Sequence, residues 1–206
     1  MTDRRPIASR GSGWARALTK WLAARDISSN QISIASMGAA GLAGLCFYFG
    51  ASAGGFGGAL LLVAAALFCQ LRLICNLMDG LVAVEAQKGT PDGAFWNEAP
   101  DRVSDVLIFI GLGYGLGLVG LGWAAAVMTV STAYVRELGH NITGENDFCG
   151  PMAKPHRMAL VTGTAVLAAV LPNWGLLQLA LWVVVIGAAV TVVRRSLRIL
   201  QRLGQR

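Results

Sequence analysis

An all-α integral membrane protein, with six transmembrane helices and an amphipathic N-terminal interfacial helix, is the fold class this sequence predicts, and three observations carry it. The chain is 55% hydrophobic and only 14% charged, against roughly 25% charged residues in an average soluble domain. Its uncharged tracts at 27–71, 106–135 and 158–193 are 45, 30 and 36 residues long, whereas one transmembrane helix needs about 20. Basic residues gather at the ends of those tracts, the pattern of a cytoplasmic membrane face. The net charge of +6 therefore points to anionic headgroups or a phosphate-bearing substrate as partners, with no nucleic acid.

From Gly13 to Ala24 the chain reads GWARALTKWLAA, with Trp14, Leu18, Trp21 and Leu22 on one side and Arg16 and Lys20 on another. That spacing describes an amphipathic helix in the headgroup plane, the alternative being a frayed basic tail. Capping residues in Asp26 to Asn30 introduce a first membrane helix over about 31–50. An uncharged break at 51–57 leads to a second helix over about 58–84, whose polar end carries Arg72, Asn76 and Asp79. Lys88, Gly89, Thr90 and Pro91 form a helix stop and turn. A third helix is expected from Gly93 to Gly115, a fourth over about 119–138, a polar loop over 139–155, a fifth helix over about 156–171 and a sixth over about 175–196. Small-residue patches at Ala39, Ala40, Gly41 and Gly44, and at Gly111, Gly113, Gly115 and Gly117, allow close helix packing.

Six spans with the amino terminus inside return the carboxyl terminus inside and leave the turns near 51–57, 116–118 and 172–174 uncharged on the far side. The chain divides into a basic N-terminal segment (1–30), a six-helix membrane domain (31–196) and a basic C-terminal tail (197–206). No cleavable signal peptide is expected, because Arg4, Arg5, Arg10, Arg16 and Lys20 lie too far ahead of an apolar run that is itself too long. The four cysteines have no zinc or redox spacing, and Cys46 and Cys69 read as small buried hydrophobes.

Function is expected where the second and third membrane helices meet. Asp79, Glu85, Asp92, Glu98, Asp101 and Asp105 crowd into residues 76–105, a cluster that is costly at a membrane unless cations or water compensate it. Asn76 and Asp79 share a helix face, and Gly80 leaves room beside the carboxylate. On the third helix Asn97, Asp101 and Asp105 recur at i+4, and Glu98, Asp101 and Asp105 form an alternative stripe. Two such faces joined by a short turn can converge on a hard cation. An all-oxygen set suits Mg²⁺, Mn²⁺ or Ca²⁺ rather than zinc. The competing reading is a solvated interfacial cluster.

The run Asn76-x2-Asp79-Gly80-x2-Ala83-Val84-x8-Gly93-x3-Asn97-x3-Asp101 resembles the signature of the CDP-alcohol phosphatidyltransferases, D-x2-D-G-x2-A-R-x8-G-x3-D-x3-D, at every interval. The resemblance extends over the whole chain, since that family has six membrane helices with the motif across the second and third. It implies transfer of a phosphatidyl group from a CDP-linked lipid such as CDP-diacylglycerol to an alcohol, with release of CMP in phospholipid biosynthesis. It implies a cofactor of one or two Mg²⁺ or Mn²⁺ ions and a homodimer. By position, Asp79 is a metal ligand, Asp101 a metal ligand and the general base, and Gly80, Ala83 and Gly93 line the cytidine pocket. Arg136, Lys154 and Arg157 are similar to residues that grip the phosphate of a phosphorylated acceptor, inositol phosphate or glycerol phosphate, although positive-inside anchoring explains the same residues.

Three positions depart from the signature. Asn76 and Asn97 replace the first and third aspartates, and Val84 replaces the arginine. An asparagine keeps a ligating carbonyl oxygen but no charge. Glu98 and Asp105 are the candidates to restore charge as metal ligands, and Lys88 to take the arginine's phosphate role. A catalytically weak member that binds nucleotide or lipid, or supports a partner, is the alternative, with a small transporter behind it. The expected location is a bacterial inner membrane, crossed several times, with both termini and the active site cytoplasmic.

Overall fold

A computed structural model describes residues 12–85, 91–172 and 175–205, all of whose regular structure is helical. Seven helices follow one another among these residues: α1 (Gly13–Ala24), α2 (Ser29–Ala53), α3 (Gly55–Glu85), α4 (Gly93–Gly115), α5 (Val119–Thr143), α6 (Lys154–Val170) and α7 (Leu176–Gly204). Helices α2, α3 and α7 are long and apolar enough to cross a membrane. Their outward side chains agree with that: Leu67 and Ile186 are 66% and 59% exposed, which suits a lipid-facing wall rather than a water-facing one. The chain is a membrane protein.

Local chemistry explains the boundaries. The DISSN segment forms a reciprocal cap on α2, in which Ser28 Oγ accepts the Gln31 N–H at 3.2 Å and Gln31 Oε1 accepts the Ser28 N–H at 3.0 Å. The turn from α2 to α3 is made by Gly54 and Gly55, both at positive φ (61° and 58°), where a side chain would be strained. Helix α5 continues past the expected stop at 138, because Gly139 is a close-packing position: a Cβ there would come within 3.0 Å of the Ile199 side chain. It ends instead at Gly144, in the left-handed region at φ 78°. Helix α6 begins at Lys154, since Pro155 fits a first turn, whose N–H groups need no helical partner. Helix α7 does not end near 196 but runs on to Gly204, its added turns held by buried Ile199.

The bundle is organised around α2, which packs along both α3 and α4, while α3 and α4 touch each other little. The small-residue patches make this possible. A Cβ on Gly44 would come within 2.5 Å of the Leu107 carbonyl oxygen, and one on Gly111 would collide with the Gly44 backbone. Helix α5 packs on α4 and α7, and α3 on α6. Phe47, Ile108, Phe109, Leu112, Leu181 and Val184 fill the shared core with buried Cys69. Helix α1 lies where the periodicity predicts, but it docks on α3: Thr19 is buried, Ala15 is buried in a second apolar cluster with Met78, Leu81 and Val82, and Trp14 and Trp21 are half-exposed.

Candidate active site

The polar end of α3 meets the first turns of α4 through Arg72, which reaches Asp101 and Asp105, and through the Asn76 side-chain amide, which donates to Asp101 Oδ1. The other end of that amide accepts from Ser36 Oγ on α2 at 2.6 Å. Asp79, one turn further, is turned toward α2 as well: its Oδ2 accepts from Ser33 Oγ at 2.8 Å, and its Oδ1 is buried with no hydrogen-bond partner. Arg72 and Asn76 thus link the two helices directly, whereas Asp79 is engaged by α2.

Asp101 is partly exposed and meets three donors, the Asn76 amide, the Lys154 ammonium and Arg72 Nη2, the last at 3.4 Å. Asp105, one turn deeper, is buried and fully paired. Arg72 Nη2 donates to its Oδ1 at 2.9 Å and Arg157 Nη2 to its Oδ2 at 2.6 Å. Both of its oxygens therefore anchor guanidinium groups, where the sequence suggested a metal ligand. Glu98 is likewise engaged, accepting from Arg102 and, at 2.8 Å, from Arg136 Nη2. It pairs with the phosphate-gripping candidate instead of completing a cation site. Asn97 is exposed at the rim.

These groups border a pocket of about 410 Å³. Its lining brings Asn76, Gly80, Asn97, Glu98 and Asp101 of α3 and α4 together with Arg136, Lys154, Arg157 and Arg195 of α5, α6 and α7. A Cβ on Gly80 would meet open space, so this part of the lining stays clear for a ligand. Ala83 is half-buried a turn along α3, and Gly93 opens α4. Lys88 lies outside the described residues.

Arg157 is buried, and besides Asp105 its Nη1 donates to Thr132 Oγ1 at 3.2 Å and to the Met152 carbonyl at 3.0 Å. Arg195, beside it, is buried too, donating from Nη1 to the Thr132 carbonyl at 2.6 Å and from Nε to the Cys149 carbonyl at 3.0 Å. Guanidinium groups held this firmly are preorganised to face an anion.

Sequence reasoning missed four of these residues. Arg195 neighbours the basic C-terminal tail, yet it continues the inward stripe Val184, Ala188, Thr191 and Ile199, whereas Arg194 and Arg198 fall off it. Arg72 lies four residues before Asn76, on the face that also holds Cys69 and Asp79, and is wholly buried. Ser33 and Ser36 lie with Ser29 on the buried face of α2. The available signal was periodicity: a polar residue on an inward stripe is a site candidate, and one off it is not.

A divalent cation can be tested against this donor set. Among the described residues no group of three or more His, Cys, Asp or Glu side chains is gathered as a metal centre. The buried, unpartnered Asp79 Oδ1 is nevertheless a carboxylate oxygen that lacks a counter-charge, and it fits a hard cation with Asp101.

No protein-family model matches the chain. It is 30% identical over 167 residues to the inner membrane protein YnbA of Escherichia coli (strain K12), covering 79% of this chain and 78% of that one. It is 27% identical over 140 residues to an uncharacterized protein of Aquifex aeolicus (strain VF5), covering 65% and 67%. Among solved structures it superposes on the Mycobacterium tuberculosis phosphatidylinositol phosphate synthase with CDP-DAG bound, at TM-score 0.76 and 21% identity over 91% of this chain and 94% of that one. The same synthase in complex with manganese and citrate matches at TM-score 0.75 and 21% identity, over 90% and 88%.

Proposed function

We propose, from the premise that this chain belongs to the family of the inner membrane protein YnbA and has the fold of the CDP-alcohol phosphatidyltransferases, that it transfers a phosphatidyl group from a CDP-linked lipid to an alcohol. One observation carries the reading. The motif residues Asn76, Gly80 and Asp101 line one pocket together with the basic residues Arg136, Lys154, Arg157 and Arg195. A nucleotide-linked donor on the motif side would thus face a basic surface suited to a second phosphate, which favours a phosphorylated alcohol such as inositol phosphate or glycerol phosphate. The cofactor is Mg²⁺ or Mn²⁺, consistent with manganese in the mycobacterial synthase.

The chain's residues divide the work. Gly80, Ala83 and Gly93 leave space for the cytidine, and Lys88 is a candidate for its phosphates. Asp79 and Asp101 would hold the cation, and Asn76 and Asn97 are the remaining candidates among the predicted ligands. When bound, that cation neutralises the pyrophosphate and polarises its phosphorus. Asp101 accepts the proton of the acceptor hydroxyl as the oxygen attacks the lipid-side phosphorus. The new O–P bond forms while the bond to the CMP oxygen breaks, and CMP leaves with that electron pair. Lys154, seated on Asp101, must move aside before the carboxylate can take the proton.

The same reading has α2 to α7 crossing a bacterial inner membrane six times, with α1 against the headgroups, both termini and the pocket on the cytoplasmic side, and the chain working as a homodimer. Purified protein given CDP-diacylglycerol, Mn²⁺ and a panel of free and phosphorylated alcohols should release CMP with at least one of them. Release with none, together with no CDP binding, sinks it. A second reading, a weakly active member that binds nucleotide or lipid, is favoured by the Lys154 and Arg72 contacts to Asp101 together with Asn76, Asn97 and Val84. In that case restoring aspartate at 76 and 97 would raise activity from near nothing.

A further inference from the structure

We infer that this active site takes one divalent cation per chain, and that Arg72 and Lys154 supply the positive charge that a second cation would bring. The inference rests on the reading of the pocket as a nucleotide-lipid site. The inner groups balance without metal: Asp79, Asp101 and Asp105 carry three formal negative charges, and Arg72, Lys154 and Arg157 three positive ones. The outer ring adds Glu98 and Glu137 against Arg102, Arg136 and Arg195, one further positive charge.

A nucleotide-linked pyrophosphate brings about two negative charges, which one divalent cation matches. On the full count of the pocket, one cation leaves about one net positive charge and a second about three, and uncompensated charge among buried groups is strongly unfavourable.

Geometry agrees with the charge count. Between positions 76 and 101 lies an N–H···O bond, so the Asn76 nitrogen turns a donor toward Asp101 where a bridging cation would need an acceptor. The Asp101 carboxylate is already met by an ammonium and a guanidinium, and both oxygens of Asp105 by guanidinium groups. Arg72 is wholly buried and tied to both carboxylates, fixed in place like a resident ion. What remains is Asp79 Oδ1, buried with no partner. Magnesium sites held by one or two carboxylates plus substrate phosphates are common, and Asp79 with a pyrophosphate meets that description.

The test counts ions rather than turnover. Full-length protein in lipid nanodiscs is titrated with Mn²⁺ in the presence and absence of CDP, with binding read by calorimetry and by the electron paramagnetic resonance of Mn²⁺. One Mn²⁺ per chain, tightened by CDP and lost in Asp79→Asn, is the expected result, with no spin coupling between ions. Two Mn²⁺ per chain, or one that survives Asp79→Asn, overturns the inference while leaving the transferase reading intact. The Asn76→Asp/Asn97→Asp double variant removes two units of positive balance and should bind a second Mn²⁺. A folded double variant that still binds one overturns the charge argument. CDP binding with no Mn²⁺ also overturns it, and absence of both CDP and Mn²⁺ binding overturns the inference and the proposed function together.

Discussion

At the scale of single residues, the site works through charge held in place by hydrogen bonds. Asp101 is the one pocket carboxylate that touches both the motif amide of Asn76 and the basic wall at Lys154. Asp101→Asn should therefore lower turnover by about 100-fold or more while changing CDP affinity little, since a base acts in the chemical step. Steady-state kinetics beside equilibrium CDP binding separate the two effects. Arg195 makes the opposite case. Its guanidinium is locked by two carbonyls on the acceptor side, so Arg195→Met should weaken a phosphorylated acceptor by about 10-fold or more in KM and leave CDP binding unchanged. No helical wheel of α3 contains the neighbours its polar face meets on α2, where Ser33 donates to Asp79 and Ser36 to Asn76.

At the scale of helices, glycine positions decide which surfaces meet. Gly111 presses on the Gly44 backbone where α4 crosses α2, with no room for a side chain. Gly111→Leu should force the helices apart and cost about 1–3 kcal/mol or more, visible as a lower melting temperature in detergent. The extension of α7 is held on its loop side by Arg198, whose Nη1 donates to Asp147 Oδ1 at 3.3 Å. Partial burial works to raise the Asp147 pKa, but the Cys149 N–H and Arg198 outweigh it and hold the carboxyl below its ordinary value. A carboxylate whose folded pKa is lowered contributes stability above its unfolded pKa, about 4, and loses it as pH falls through the folded value. Hydrogen exchange at the end of α7 should therefore quicken in wild type below about pH 4, and Asp147→Asn should make it fast already at neutral pH.

At the scale of the whole molecule, the proposed topology of six crossings with both termini inside makes a prediction that needs no catalysis. A cysteine at Gly117, in the uncharged turn between α4 and α5, should react with an impermeant thiol reagent from outside the cell, and one at Gln205 only after the membrane is opened. Labelling of both from outside would refute the topology. By itself the amino-acid order determined the helical membrane class, the bounds of α1 and α4, the spacing of the motif and its two asparagine departures. All of these are carried by local periodicity, charge-free length and fixed intervals along one chain. Only the tertiary structure decided that Arg72, Ser33, Ser36 and Arg195 belong to the site and that Asp105 and Glu98 are taken up in ion pairs. These contacts join residues from separate helices. Which charges meet depends on how α2 brings α3 and α4 together at its small-residue face, a property of packing between helices that no one segment contains.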